Sequence, residues 1–378
     1  MELPRTASAV VIGGGVVGCS IAYNLARRGL RDVVVIERET VGSGTTSKAA
    51  GGIRVQFPTE TEIRFSLEAI RVFERFQDEF GVDPGYKKIG YLFLLSEERQ
   101  LRAFEPRIAL QTRLGADVRV VTPDDARKLV PALRVDDLIA AVWGPGDGLA
   151  GPAEVTAGFA RRARELGVKI VEGVRVESLE LAQRRVTGVT TTTGAISSPL
   201  VINAAGPSAA RVARLAGVEL PVQPRRRHIF FTEPFPAIPG PVPLTTDVTS
   251  GFYFRKEMEQ VLLSPGDVED IGEDFDVPMD PGKVEEAVQK AIPRIAGGWA
   301  GLRPLTPDDH AIIGWAPGVE GFFVAVGFGG HGFQHSPATG RYVAEWLLDG
   351  KPSMDLSLFD PARFGRTPAR SELKVDAE

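Results

Sequence analysis

The sequence holds a single cysteine, Cys19, and only four histidines. One thiol excludes an intramolecular disulfide and any cysteine-cluster metal centre, and so few imidazoles argue against a histidine-rich one. Positive charge is not in excess: 44 Lys and Arg stand against 49 Asp and Glu, a formal net charge of -5. Nucleic-acid binding draws its affinity from neutralised phosphates, so this balance argues against it. No run reads as a membrane span. Ser8 to Ala26 comes nearest and follows Arg5 in the manner of a leader, but it carries Gly13, Gly14, Gly15 and Gly18 and passes into Arg27-Arg28. Those glycines spoil a membrane helix and suit a strand-turn-helix unit. With no targeting segment in view, the expected compartment is the cytoplasm. The remaining composition is that of a soluble globular protein, 43% hydrophobic and 25% charged over 378 residues. At roughly 150 residues per domain, that length suggests two or three domains, one of them interrupted.

The most informative segment opens the chain. Ala9 to Ile12 is a short apolar run with the mark of a strand buried on both faces. Gly13-x-Gly15-x-x-Gly18 follows, then apolar residues at helical spacing until Gly29, and a second such strand, Val33 to Ile36, ends on Glu37. Each part has a physical reason. Gly13 permits a tight turn, Gly15 lets a pyrophosphate approach the backbone at Val16 and Val17, and Gly18 lets the helix pack close to the strand. The helix N-terminus offers N–H groups and the positive end of a dipole to the phosphates. Glu37, nineteen residues beyond Gly18 and followed by Arg38, is placed to accept hydrogen bonds from ribose hydroxyls. The unit predicts dinucleotide binding, and a carboxylate at 37 disfavours a 2′-phosphate, which leaves NAD or FAD. The small-residue loop that follows, with Ser43, Gly44, Thr45, Thr46, Lys48, Ala49, Ala50 and Gly51, favours the longer flavin nucleotide, whose ring needs more backbone contact.

Further along, 60 to 80 reads as one helix, Tyr91 to Leu95 as a strand, 97 to 115 and 123 to 130 as helices, and Gly144 to Pro152 as a turn-rich boundary. A helix from Pro152 to Leu166 and a strand at Val168 to Val171 follow, and Val186 to Thr193, Gly194 and then Leu200 to Ile202 suggest a hairpin feeding another buried strand. Residues 222 to 265 alternate short apolar runs with Pro and Gly, which predicts an antiparallel sheet. Arg225-Arg-Arg-His228 is read as the solvated start of a strand. Pro281 to Ile292 reads as a helix capped by Asp280, Phe322 to Val326 as the last buried strand, Pro337 to Leu348 as the last helix, and the tail beyond about Phe364 as mobile.

Between the last strand and the last helix lies Gly327-x-Gly329-x-x-Gly332 within Val326 to His335. It repeats the fingerprint, but no apolar strand or placed acid follows in the remaining 46 residues, so it is not a second dinucleotide unit. Its expected purpose is a second helix N-terminus, with backbone N–H groups at Gly330, Gly332, Phe333 and Gln334 facing the edge of a flavin that gains negative charge on reduction.

With both constellations in hand, the chain resembles the FAD-dependent amine oxidoreductases of the D-amino-acid oxidase superfamily. Five ordered motifs carry the resemblance: Val11 to Gly18, Gly42 to Arg54, Val201 to Pro207, Ala300 to Asp308 and Gly327 to Phe333. Within the superfamily it is most similar to sarcosine oxidases and their β-subunits, and to β-subunits of dye-linked L-proline dehydrogenases. The resemblance implies an α/β fold: a discontinuous FAD-binding Rossmann-like domain of the glutathione-reductase type (1-85, 150-222 and 318-365) and an α+β substrate domain on an antiparallel sheet (86-149 and 223-317), with 366-378 as a tail. It implies oxidation of a C–N bond in a small secondary amino acid, with hydride passing from carbon to FAD N5 and the imine hydrolysed in water. A dye-linked L-proline or D-amino-acid dehydrogenase, or the flavin subunit of a larger complex, is the alternative. O₂ or another acceptor takes the electrons, and no dedicated base is required.

The same resemblance implies site residues. Arg54 matches the arginine that holds the substrate carboxylate in sarcosine oxidases, and Arg303 the one used by glycine oxidase; a guanidinium suits the task because it grips a carboxylate with two parallel bonds. His331 matches the histidine beside the flavin, Tyr253 is a candidate pocket wall, Val176 lies near adenine, and Ala205 and Gly206 approach the pyrophosphate and ribose. Three departures stand out. The position of the flavin-linking cysteine of monomeric sarcosine oxidases falls near Gly301, and Lys48 stands where dimethylglycine dehydrogenases link through histidine, so the FAD is expected to be non-covalent. Gln334 replaces a second carboxylate-binding lysine. The strand Gln260 to Ser264 lacks the oxygen-activating lysine, leaving Lys48 or Lys256 as candidate sources of that charge.

Overall fold

A computed structural model describes residues 3–238, 240–272, 278–290 and 297–365. Ala9–Ile12 and Val33–Ile36 pair in parallel, Ala9 opposite Val33 and Ile12 opposite Ile36, and the helix Val16–Arg27 joins them. All their residues are buried, as a sheet covered on both faces requires. Distant segments complete this six-stranded sheet: Lys169–Val171 lies beside Val33–Ile36, and Val201–Asn203 beside Ala9–Ile12. Phe322–Val326 comes next, and Ile312–Trp315 closes the edge antiparallel. The alternation of side chains divides the core. Val11 and Val35 pack among helical residues such as Leu25, Phe159 and Val343, while Val10 and Val34 face Val189 and Ile196 of a three-stranded sheet.

A nine-stranded sheet forms the second layer, with Gln223–Phe231 paired along its whole length to Gly297–Leu305. It is antiparallel as expected over 222 to 265, except that Leu244–Asp247 runs parallel to Tyr91–Leu95. The strand Ile312–Trp315 belongs to the first sheet, although the expected division of the chain at 317/318 would place it with the second.

Three helices differ from expectation. The segment 60 to 80 is two helices, Glu60–Glu74 and Phe76–Phe80, because Arg75 leaves the helical region at φ -112°. The last helix is Gly332–Asp349 and begins five residues before Pro337, the residue expected to open it. Pro337 is tolerated because the Phe333 carbonyl it cannot serve accepts a bond of 2.8 Å from Ser336 Oγ. The helix near 281 spans Gly282–Lys290; Ala291 and Ile292 lie outside the described residues, as does the tail beyond 365.

First and last helices cross in close contact at Gly340, where a Cβ would lie 2.6 Å from Asn24 Nδ2. At the other end of the first helix a Cβ on Gly18 would overlap the Gly13 carbonyl. Gly18→Ala is therefore expected to cost about 2–3 kcal/mol, read as a lowered thermal midpoint. Gly146→Ala, where a Cβ meets nothing within 4 Å, is the control; equal midpoints for the two variants would contradict the packing role.

Candidate active site

The two helix ends face one cavity of about 1070 Å³. Val16–Arg27 and Gly332–Asp349 both begin without a side chain from the N-cap residue bonded to them, so, Val16 N apart, the N–H groups of their first turns are offered to whatever enters. Gly13 makes the turn at φ +110°, and a Cβ there would stand 2.5 Å from the Ala204 carbonyl oxygen. Glu37 Oε2 accepts from Gly14 N at 2.7 Å and Oε1 from Glu39 N at 3.0 Å. Thr46 Oγ1 accepts from Val16 N at 3.2 Å, tying the small-residue loop to the helix start.

Every residue expected from sequence to hold the cofactor lines this cavity except Gly18, which sits behind it and serves the packing role assigned to it. Arg54, Tyr253, Arg303 and His331 line it as well.

The inner end is ordered by hydrogen bonds. The Arg54 guanidinium lies 4.2 Å from the Phe57 ring centroid and donates to Gln56 O at 2.5 Å and to His331 Nε2 at 3.1 Å. His331 therefore accepts at Nε2 and carries its proton on Nδ1. Loss of water holds it well below the ordinary histidine range, and the charges of Arg54, His335, Arg303 and Arg227 add to the effect. Gln334 turns inward: its oxygen accepts from Arg54 N at 3.2 Å and its amide reaches His335 Nε2 at 3.2 Å. It positions Arg54 where a second cation was absent.

Three features escaped the sequence. Asp147, in the turn after Trp143, is fully buried and accepts from Val55 N at 2.8 Å and Gln56 Nε2 at 2.9 Å, fixing the segment that carries Arg54. Tyr91 and Phe93 share one face of their strand and line the cavity; the period-two spacing was visible, its partner was not.

The third is a correction. Arg225 to His228 is not a solvated strand start. His228 is fully buried, donating from Nδ1 to Asp267 Oδ2 at 2.5 Å and accepting at Nε2 from Asp280 N at 3.1 Å. Arg227 faces the cavity, bonded to the carbonyls of Asp267 at 3.0 Å and Gly266 at 3.2 Å. Burial and the neighbouring Arg303 lower it to about 10, still a cation at neutral pH. Of the two lysines considered as charge sources, Lys48 lines the cavity and packs against Gly301, whereas Lys256 donates to the Phe235 and Glu259 carbonyls outside it.

Residues 8–346 match the DAO family, described as FAD dependent oxidoreductase. The chain belongs to this family of FAD-dependent oxidoreductases. Human mitochondrial sarcosine dehydrogenase is 31% identical over 384 residues, covering 96% of this chain and 42% of that protein. Rat mitochondrial dimethylglycine dehydrogenase is 28% identical over 97% of this chain and 46% of its own length. The chain thus spans under half the length of each of these two relatives. The crystal structure of L-proline dehydrogenase from P. horikoshii superposes with a TM-score of 0.91 at 32% identity, covering 97% of this chain and 100% of that one. Among the described residues, no helix is long and apolar enough to cross a membrane.

The residues present fit the family's FAD: two uncapped helix ends, a backbone cradle at Gly13 that a side chain would fill, and a carboxylate at Glu37 share one cavity with Val176 and Gly330. Cys19, the lone thiol, is fully buried, donates toward Gly14 O, and burial pushes it up to about 12, so it is no nucleophile.

Asp147 yields a pH-dependent prediction. Burial outweighs its hydrogen bonds and raises it to about 7, against about 3.9 unfolded. Between those values the folded chain keeps a proton the unfolded chain has released, so this group's contribution is full below about pH 4 and lost as pH rises to about 7. Asp147→Asn removes the dependence; Gln56 Oε1, buried with no partner among the described residues, can turn to accept the new amide. The thermal midpoint of the variant minus that of the parent is expected to increase from pH 5 to pH 8, and parallel curves would contradict this assignment.

Proposed function

We propose that this site oxidises the C–N bond of a small secondary amino acid, an N-methyl compound of the sarcosine type first and a cyclic one such as proline second. The observation that carries the reading is Arg54: a guanidinium stacked on Phe57, held by Gln56 O and His331 Nε2, facing the cavity beside an uncapped helix N-terminus. A carboxylate is the group such a cation takes, and Arg303, packed over Gly330, offers a second. Similarity to proteins named for sarcosine, dimethylglycine and L-proline supports the same class.

FAD, when bound, supplies the two-electron acceptor. The chain's own residues bind and orient. Arg54 fixes the carboxylate, Tyr253 and Tyr91 wall the pocket, and Gln334 holds the Arg54 backbone in place. His331 cannot serve as a ready base, since Arg54 occupies its Nε2. The surrounding positive charge instead favours a bound amine in its neutral, electron-rich form. We read the FAD as non-covalent and the chain as divided as the resemblance implies, with residues 1–85, 150–222 and 318–365 carrying the cofactor and the strand Ile312–Trp315 joining them.

Anaerobic mixing with sarcosine, L-proline, glycine and D-alanine, followed by flavin absorbance, tests the function. Bleaching is expected with sarcosine or L-proline, and its absence with all four would overturn the reading. Arg54→Gln is expected to weaken the reacting amino acid roughly a hundredfold and Arg303→Gln about tenfold. Acid precipitation should leave colourless protein and yellow supernatant; a yellow pellet would contradict non-covalent binding.

A further inference from the structure

Arg227 is a cation that the proposed reaction does not use. It stands opposite Gly301 in the ladder between Gln223–Phe231 and Gly297–Leu305, and Arg303 is two residues further along the same partner strand. Residues two apart on a strand share a face, so Arg227 and Arg303 project together into the cavity, on a diagonal where long side chains meet. Arg54 reaches it from a different element, the segment after Gly52–Ile53. Among the described residues, none of the three guanidiniums forms an ion pair with a carboxylate; the bonds of Arg54 and Arg227 go to carbonyls and to a neutral imidazole.

The surrounding charges do not cancel this excess. Asp267 lies below the ordinary carboxylate range: burial raises it, but bonds from His228 outweigh burial and keep it ionised behind Arg227. Asp147, behind Arg54, is raised to about 7 and offsets less than a full charge. Cations facing a confined cavity are costly unless the occupant brings anions. Tyr253 also lines the cavity, and its buried hydroxyl has no hydrogen-bond partner among the described residues. A neutral-amine substrate with one carboxylate supplies one negative charge; one with two carboxylates supplies two.

We infer that the substrate is an amino dicarboxylate, one carboxylate taken by Arg54 and the second by Arg227 and Arg303 with the Tyr253 hydroxyl. This inference rests on the amino-acid oxidation proposed above and names its substrate class.

Sulfur analogues separate the two readings, because they lack the oxidisable C–N bond and report binding alone. The FAD-loaded protein is titrated by calorimetry and flavin absorbance with (methylthio)acetate, thiodiacetate and 3-(carboxymethylthio)propanoate. At least one dicarboxylate is expected to bind roughly ten- to a hundredfold more tightly than the monocarboxylate. Arg227→Gln should collapse that ratio toward one, and Arg227→Lys should keep part of it. Equal binding of mono- and dicarboxylates, or a ratio untouched in Arg227→Gln, overturns the inference. In parallel, anaerobic bleaching by iminodiacetate is expected to exceed that by sarcosine. A tighter dicarboxylate complex without bleaching by any amine would leave the charge assignment standing and sink the oxidation instead.

Discussion

Everything in this molecule turns on bringing two uncapped helix N-termini to the same cavity. Each is a cluster of first-turn backbone N–H groups that the helix itself cannot satisfy, of which only Val16 N is shown taking a side-chain partner, Thr46, and their value lies in being aimed and fixed before any ligand arrives. The aim depends on backbone approaching backbone. Gly13 bends back at φ +110° beneath the Ala204 carbonyl, and Gly18 nests on Gly13. Side chains at either place would push the helix away from the sheet and the N–H groups away from their target.

Polar order at the inner end is built on the same principle of prior fixation. Asp147 and Gln56 hold the backbone at Val55, Gln334 holds that of Arg54, and the Arg54 side chain in turn sets the tautomer of His331. In a confined region such a chain of bonds is rigid when complete and costly when broken. The outcome is a pocket wall whose cations are in position at rest, so that binding need not order them.

Local patterns were legible where their physical cause is local. Ala9 to Ile12, the glycine turn, Glu37 and the small-residue loop announce themselves by periodicity and spacing, and all but Gly18 of the expected cofactor residues face one cavity. What stayed hidden depends on contacts across the fold. Arg225 to His228 reads as a hydrophilic run until Gly301 and Asp267 are brought beside it, whereupon His228 is buried and Arg227 faces inward. Asp147 sits in a stretch of Gly and Pro that looks like surface turn; only the Arg54 segment folding over it makes it a core carboxylate. Pro337 looked like a helix start because its Ser336 substitute donor is invisible in a propensity reading. Family resemblance supplied Arg54 and Arg303, which composition alone would have left on the surface.

The contact of Gly340 with Ser20 and Asn24 places one of the last elements of the chain directly on one of the first. A ribosome emitting this polypeptide completes the opening strand, turn and helix long before the element that must lie against them exists. The nucleotide-gripping helix thus waits, with its apolar flank uncovered, until the segment around Gly340 has emerged. Pairings across such sequence distances carry a large loop-closure cost and form slowly. A nascent chain that has not yet reached Gly340 lacks the surface that seats the helix Val16–Arg27.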